Sequence, residues 1–198
     1  MVNNPYLLVS GCSHTAGVGI DKDGIWANLV AENIKLELVN LARGGACAKF
    51  VASSLINCLE SNTVLPELVI AQWPNPYRSM KIFDQTTTFY NVNTMDDEFQ
   101  YRIIHDPDSF LQEWYDSIVE LNSRCPTKLI NICLESRQHI TTQLISNLKS
   151  KHIVLHIDEK IPGKTWHFDS RASDRLHHSA ECHRKWAERI LTILTNTV

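Results

Sequence analysis

Apolar residues along the chain alternate between short runs and longer stretches with helical spacing. The short runs are bounded by glycine, proline or polar residues, which is typical of strands buried in a parallel sheet. These runs lie at Tyr6–Val9, Leu36–Leu41, Leu68–Ala71, Leu129–Leu134 and His152–Ile157. Between them, apolar residues recur at intervals of three and four, which predicts helices over Ile25–Ile34, Ala46–Leu59, Asp108 or Ser109 to Leu121, Thr141–Leu148 and Ser179–Leu194.

Strand–helix alternation repeated about five times predicts an α/β fold, in which helices cover both faces of a central parallel sheet of about five strands. The length of 198 residues suits one domain, and no linker-like segment divides residues 1–198. Residues 77–107 depart from the alternation because they are rich in Thr, Asn and Asp with aromatic residues between them. We expect an inserted loop there, with a short hairpin around Thr86–Val92.

Charge and composition disfavour several classes of partner. The net charge is −3 and the basic residues are scattered, so neither nucleic acid nor an anionic membrane is expected. The first residues lack the pattern of a signal peptide, and no apolar window is long enough to span a bilayer. We therefore expect a cytoplasmic protein whose six cysteines stay reduced, and their spacing gives no support to a metal site.

Ligands of parallel sheets bind beyond the carboxyl ends of the strands, so the segments that follow the strands are the candidates for chemistry. After the first strand, Gly11 permits a sharp turn that would place Ser13 at the start of a helix, where backbone N–H groups can stabilise an oxyanion. The next two strands are followed by Arg43-Gly44-Gly45-Ala46 and by Trp73-Pro74-Asn75. The first of these offers a glycine N–H and the second a side-chain amide.

A base for Ser13 is predicted just before the last helix. Histidine titrates near neutrality, and an aspartate three residues earlier can hold its second ring nitrogen. Asp174 and His177 have this spacing. His178 is the alternative base and His167 a weaker competitor, because the distance from Asp174 favours His177.

These segments together resemble the SGNH hydrolases, the GDSL-like lipases and esterases. The resemblance runs from Ser10 to Trp186. The matching segments are Gly11-Cys12-Ser13 for the G-D-S turn, Val39–Gly45 for the second block, Asn75 for the asparagine of G-x-N-D, and Asp174-Arg175-Leu176-His177 for D-x-x-H.

The resemblance implies a flavodoxin-like three-layer α/β/α sandwich and hydrolysis of an ester through an acyl-enzyme on Ser13. The expected oxyanion donors are the N–H groups of Ser13 and Gly45 and the side chain of Asn75. The third segment, Trp73-Pro74-Asn75-Pro76, lacks the family's glycine and final aspartate. If Asn75 points elsewhere, Gln72 is the alternative amide donor. No metal or organic cofactor is needed for this chemistry.

The substrate is expected to be a small-molecule or carbohydrate ester with a small acyl group, and an O-acetyl group on a carbohydrate is our hypothesis. His14, Trp73 and Arg78 are candidates to line its binding site, with ordinary loop packing as the alternative. A different interpretation of the whole chain is a binding or structural module with little turnover. A nucleotide binder using residues 11–17 is disfavoured, because that loop has no lysine.

Overall fold

The computed structural model describes residues 4–83, 86–90, 96–133, 152–156 and 177–196. The predicted helix Thr141–Leu148 and the candidate Asp174 lie outside these ranges. The strands are β1 Tyr6–Ser10, β2 Glu37–Asn40, β3 Leu68–Trp73, β4 Ser79–Phe83, β5 Thr86–Tyr90, β6 Lys128–Cys133 and β7 His152–His156. The helices are α1 Ser13–Ala16, α2 Trp26–Ile34, α3 Ala48–Ser61, α4 Asp97–His105, α5 Pro107–Arg124 and α6 Ala180–Asn196, with a 3-10 turn at Lys22–Gly24.

Five strands form a parallel sheet in the order β2-β1-β3-β6-β7. Counted along the chain these are the first to fifth strands of the sheet, so the order is 2-1-3-4-5, that of flavodoxin-like folds. The order reverses between β1 and β3, and such switch points are where these folds bind ligands. The predicted α/β fold with a flavodoxin-like sandwich is therefore confirmed.

Alternate residues of the central strands enter two separate core layers. Tyr6 and Leu8 of β1 pack in one layer with α3 and α5, whereas Leu7 and Val9 pack in the other with α2 and α6. β1 and β3 are buried along their whole length. The continuous apolar runs that predict these strands follow from this burial on both faces.

The region after β3 is more ordered than the predicted loop over 77–107. It contains the hairpin β4–β5, which begins upstream of the predicted position, and the additional helix α4. Asp96 caps α4 by accepting a hydrogen bond from the Phe99 N–H at 2.8 Å, and Lys81 of β4 pairs with Asp96 and Glu98. α5 then begins at Pro107, just ahead of the predicted start, because proline suits the first helical position.

Two further properties belong to the same described ranges. None of their helices is both long and apolar enough to cross a membrane. Their cysteines Cys12, Cys47, Cys58, Cys125 and Cys182 form no disulfide.

Candidate active site

Ser13 lies in the turn that follows β1, at the switch point of the sheet. It is the first residue of α1, after the N-cap Cys12, and only 8% of its surface is exposed. Glycine is required at position 11 because a Cβ there would lie 2.4 Å from Thr15 Oγ1 and 2.8 Å from Gln72 Oε1. The tight packing of this turn fixes the backbone that carries Ser13.

Gln72 of β3 holds the turn from one side. Its Oε1 accepts hydrogen bonds from the Cys12 N–H at 3.1 Å, the Cys12 thiol at 3.2 Å and the Thr15 hydroxyl at 2.9 Å. Its Nε2 donates to the Trp73 carbonyl at 3.0 Å. The end of Gln72 that faces the Ser13 turn is therefore an acceptor, so the alternative that Gln72 supplies an oxyanion amide is wrong.

Asn40, the last residue of β2, holds the same turn from the other side. Its Nδ2 donates to the Thr15 carbonyl at 3.0 Å, and its Oδ1 accepts from the Ala42 N–H at 3.0 Å. The Arg43 N–H also donates to the Gly11 carbonyl at 3.1 Å. In the sequence Asn40 stands out only as part of a motif, whereas the structure makes it a link between two loops of the site.

Two backbone N–H groups near this link are candidates to bind an oxyanion. Neither the Ser13 nor the Gly45 N–H donates to a group in the described part of the chain. Gly45 adopts a left-handed φ of +79° in a turn closed by the Ala46 N–H and the Arg43 carbonyl at 3.2 Å. A Cβ on Gly45 would lie 3.2 Å from Phe89 Cβ, so strand β5 covers this glycine closely. Their role as oxyanion donors stays a prediction.

Asn75 lies in the loop after β3 and is half-buried. Its Oδ1 accepts from the Tyr77 N–H at 2.7 Å, which closes an Asx turn. The Trp114 indole donates to the Pro74 carbonyl at 2.8 Å and ties the loop to α5. The loop is thus fixed at two points, and the Asn75 oxygen is committed to the turn. The expectation that the Asn75 amide is an oxyanion donor stays a prediction.

Trp73 is the one substrate-contacting candidate that the structure removes. It is fully buried in the core layer of α3 and α5, and its indole donates to Asn131 Oδ1 at 2.8 Å. Asn131 in turn donates to Asn122 Oδ1 at 3.1 Å. Trp73 is the last residue of β3 and not part of the following loop, so the pleat turns its side chain inward.

Histidines from both ends of the chain meet beside Ser13. The ring of His14 lies 5.4 Å from that of His177 and 4.8 Å from that of His178, measured between ring centroids. Trp186 of α6 contacts the rings of His14 at 6.0 Å and His178 at 5.0 Å. Because His14 directly follows Ser13, these contacts bring both candidate bases to the Ser13 turn.

His14 itself is held neutral. Burial, followed by the charges of His178, His177, His183 and Arg78, lowers the pKa of His14 to about 3. Its Nδ1 is shielded from solvent and makes no hydrogen bond within the described residues. His14 is therefore unsuited to serve as a base near neutrality, and its role in lining a substrate site stays a prediction. Arg78 acts on His14 through its charge, which puts it at the same end of the sheet.

His183 is a structural histidine that the sequence pattern does not single out. It is 1% exposed, and its Nδ1 accepts a hydrogen bond from the Trp26 N–H at 3.2 Å, at the first residue of α2. Burial, with His178 and His177 as further causes, lowers the pKa of His183 to about 3. This bond joins α6 to α2 and so fixes the chain just after His177 and His178.

The third member of the predicted triad, Asp174, lies outside the described ranges. Ser13, His177 and Asp174 as a catalytic set therefore stay a prediction. In the part of the chain that the structure covers, no group of three or more His, Cys, Asp or Glu side chains is arranged to hold a metal ion.

Comparisons by sequence find no match, either among protein-family models or among curated proteins. Comparison with solved structures does find matches. The chain resembles TesA at a TM-score of 0.63 and 14% identity, covering 98% of this chain and 99% of TesA. It resembles the acetyl xylan esterase Est2A from the rumen bacterium Butyrivibrio proteoclasticus at 0.61 and 14% identity, covering all of this chain and 65% of that one.

A member of the lipolytic protein G-D-S-L family from Veillonella parvula DSM 2008 is also similar, at a TM-score of 0.61 and 12% identity over 96% of this chain and 98% of that chain. Identities this low establish the fold alone. The sheet order 2-1-3-4-5 and the turn after β1 agree with it. The chain therefore has the fold of the SGNH or GDSL-type esterases, with Ser13 at its switch point.

Proposed function

We propose that this protein is a serine esterase that cleaves small acyl esters through an acyl-enzyme on Ser13. The observation that carries the proposal is the environment of the Ser13 turn. Gln72 and Asn40 hold the Ser13 turn from two strands, and the Ser13 and Gly45 N–H groups donate to no group among the described residues. The His177 and His178 rings lie against His14, the residue after Ser13. The similarity to solved esterase structures gives independent support.

In the first half of the reaction, His177 accepts the Ser13 hydroxyl proton as the Ser13 oxygen bonds to the ester carbonyl carbon. The negative charge on the carbonyl oxygen is stabilised by the Ser13 and Gly45 N–H groups and by Asn75. The carbon–oxygen bond to the alcohol then breaks, and His177 gives its proton to the departing alcohol. Asp174 keeps the His177 ring in the required tautomer and orientation.

In the second half, His177 takes a proton from water, and the water oxygen attacks the acyl carbon. The bond to the Ser13 oxygen breaks, the acid is released and the proton returns to Ser13. Electrons and protons balance over the cycle, so no cofactor is required. An acetyl group on a carbohydrate is the proposed substrate, supported by the resemblance to an acetyl xylan esterase.

A second candidate function is a binding module on the same fold with little turnover. It is favoured by the third segment, where Trp73 is turned into the core and the Asn75 oxygen is engaged by the Tyr77 N–H. Loss of one oxyanion donor typically lowers the rate by about 10²–10³, which would leave a weak enzyme.

Hydrolysis of p-nitrophenyl acetate by the wild type and Ser13→Ala separates the two functions. The esterase predicts that the substitution removes the activity and that a fluorophosphonate probe labels Ser13, as mapped by mass spectrometry. Ser123→Ala is the matched control, because this serine is exposed on α5. Equal rates in the wild type and Ser13→Ala would favour the binding module, and labelling at another residue would refute the assignment of the nucleophile.

A further inference from the structure

A groove of about 650 Å³ opens next to the Ser13 turn and is not used in the chemistry above. One wall is residues 40–43, at the end of β2 and just after it, and a second is the face of α3 from Phe50 to Ser61. Met80 and Thr87 of the hairpin β4–β5 form the third. We call it the α3 groove.

The α3 side of the groove is polar. α3 packs Val51 and Leu55 into the core, while Ser53, Ser54 and Asn57 line the groove. The Ser53 hydroxyl donates to the Phe50 carbonyl of its own helix at 3.2 Å, so that its oxygen can still accept a hydrogen bond. The Ser54 hydroxyl is engaged by the Val51 carbonyl at 3.0 Å and by the buried Ser10 hydroxyl at 2.8 Å. The Asn57 side chain is exposed and makes no hydrogen bond within the described residues. This wall suits a ligand with several hydroxyl groups.

Arg43 is the single charged side chain among the described residues that line the groove, and no aspartate or glutamate lines it. Its guanidinium stands 5.7 Å from the centre of the Phe50 ring, and Phe50 packs edge-to-face on Phe89 at 5.2 Å. Within the described ranges no carboxylate pairs with Arg43. The aromatic contact orients the guanidinium without using its N–H donors, so the groove presents a positive group to a ligand.

The groove adjoins the segments that hold the Ser13 turn. Asn40 both lines it and donates to the Thr15 carbonyl of α1. Arg43 and Gly45 belong to the same tight turn, and the Arg43 N–H bonds to the Gly11 carbonyl. A substrate whose ester carbonyl lies at the Gly45 N–H can therefore extend directly into the groove.

We propose that the α3 groove binds the alcohol portion of the substrate, and that this portion is a polyhydroxylated group with a carboxylate, of the uronic acid type. Arg43 binds the carboxylate, and Ser53 and Asn57 bind hydroxyl groups. This inference rests on the proposed esterase function for its placement of the ester, but binding to the groove is measurable without catalysis.

The kinetic test compares kcat/KM for O-acetylated methyl glucuronoside and O-acetylated methyl glucoside. The wild type is expected to favour the uronate by about tenfold, the value of one charge-assisted hydrogen bond at a partly exposed site. Arg43→Gln should bring the ratio of the two kcat/KM values to about one. Lys49→Gln is the matched control, since Lys49 is an exposed cation of α3 outside the groove, and should keep the wild-type ratio.

The binding test titrates Ser13→Ala with glucuronate and with glucose and follows the backbone amide resonances. Glucuronate should shift residues 40–43 and the groove face of α3, and Ser53→Trp, which fills the groove, should remove the shifts. Equal kcat/KM values for the two sugars in the wild type, or an absence of these shifts, would overturn the inference. Ser13-dependent hydrolysis of p-nitrophenyl acetate would then still support the esterase. In the converse outcome, glucuronate shifts the groove resonances of Ser13→Ala while the wild type hydrolyses no p-nitrophenyl acetate. That combination would support binding in the groove and refute the esterase.

Discussion

The Gln72 side-chain oxygen accepts a hydrogen bond from the backbone N–H of Cys12, 60 residues earlier in the chain, at 3.1 Å. The same oxygen accepts from the Thr15 hydroxyl, so one buried acceptor from β3 fixes both ends of the Ser13 turn. Orientation of Ser13, the proposed nucleophile, therefore depends on a side chain that is 1% exposed.

Gln72→Leu should destabilise the protein by about 3 kcal/mol, because it leaves buried donors on Cys12 and Thr15 without an acceptor. It should also lower kcat/KM for p-nitrophenyl acetate by about 10², because the turn that carries Ser13 is no longer held in place. Urea denaturation and steady-state kinetics measure the two effects. Gln112→Leu, at an exposed position of α5, should change neither. Wild-type activity in Gln72→Leu would contradict the positioning role.

Gly45→Ala should lower both the stability and kcat, whereas Gly44→Ala should change neither. Gly45 has a φ of +79° and a Cβ there would press on Phe89, which is expected to cost about 1–2 kcal/mol and to displace the Gly45 N–H. Gly44 has an ordinary φ and open space around the position that an added methyl group would occupy. We expect kcat to fall by about 10²–10³ in Gly45→Ala and to stay near the wild-type value in Gly44→Ala. Similar kinetics for both variants would remove Gly45 from the oxyanion site.

Separate substitution of His177 and His178 identifies which of the two is the base. His177→Gln should lower kcat for p-nitrophenyl acetate by about 10⁴ or more, because the acceptor for the Ser13 proton is lost. His178→Gln should have a smaller effect, since His178 packs between His14 and Trp186. Single-turnover kinetics of both variants provide the measurement. The reverse order of effects would make His178 the base.

Acid should destabilise the fold partly through His183. Its pKa is about 3 in the folded protein and near 6.5 when unfolded, so the unfolded chain binds more protons between these values. The stability that the neutral ring provides is complete above about pH 6.5 and is lost as the pH falls toward 3, with a slope of up to about 1.4 kcal/mol per pH unit. Urea denaturation at several pH values measures this slope.

His183→Asn should reduce that slope, because the amide oxygen can still accept from the Trp26 N–H but does not titrate. His105→Asn, at an exposed position of α4, is the control and should keep the wild-type slope. An unchanged slope in His183→Asn would show that the acid sensitivity has another origin.

β1, β3 and β6 could be predicted from sequence because they are buried on both faces, which leaves predominantly apolar runs. β2 lies at the edge of the sheet and is exposed or half-buried, so its predicted run is interrupted by Glu37 and Asn40. α4 buries only Phe99, so its apolar pattern is too weak to predict a helix, although the acidic residues at positions 96–98 are a usual signal for a helix start. The placement of Ser13 in a turn after the first strand could also be predicted, because Gly11 ends the apolar run there.

Side-chain roles around that turn were harder to predict. Gln72 and Trp73 are neighbours in β3, and their opposite directions follow from the pleat, but the sequence did not indicate that β3 extends to Trp73. The sequence pattern therefore leaves Trp73 among the candidates to line the binding site, where the structure does not place it. The role of Gln72 depends on the β1–β3 pairing, which is a contact between distant parts of the chain.

Phe89 of the hairpin β4–β5 covers Gly45, and Met80 and Thr87 of the same hairpin form one wall of the α3 groove. The described hydrogen bonds that hold the Ser13 turn come instead from Asn40 of β2 and Gln72 of β3. Met80 and Thr87 of the hairpin thus line the groove without taking part in the described hydrogen bonds that hold Ser13. Exchange of the hairpin residues that face α3 offers a route to new specificities in which the nucleophile keeps its geometry.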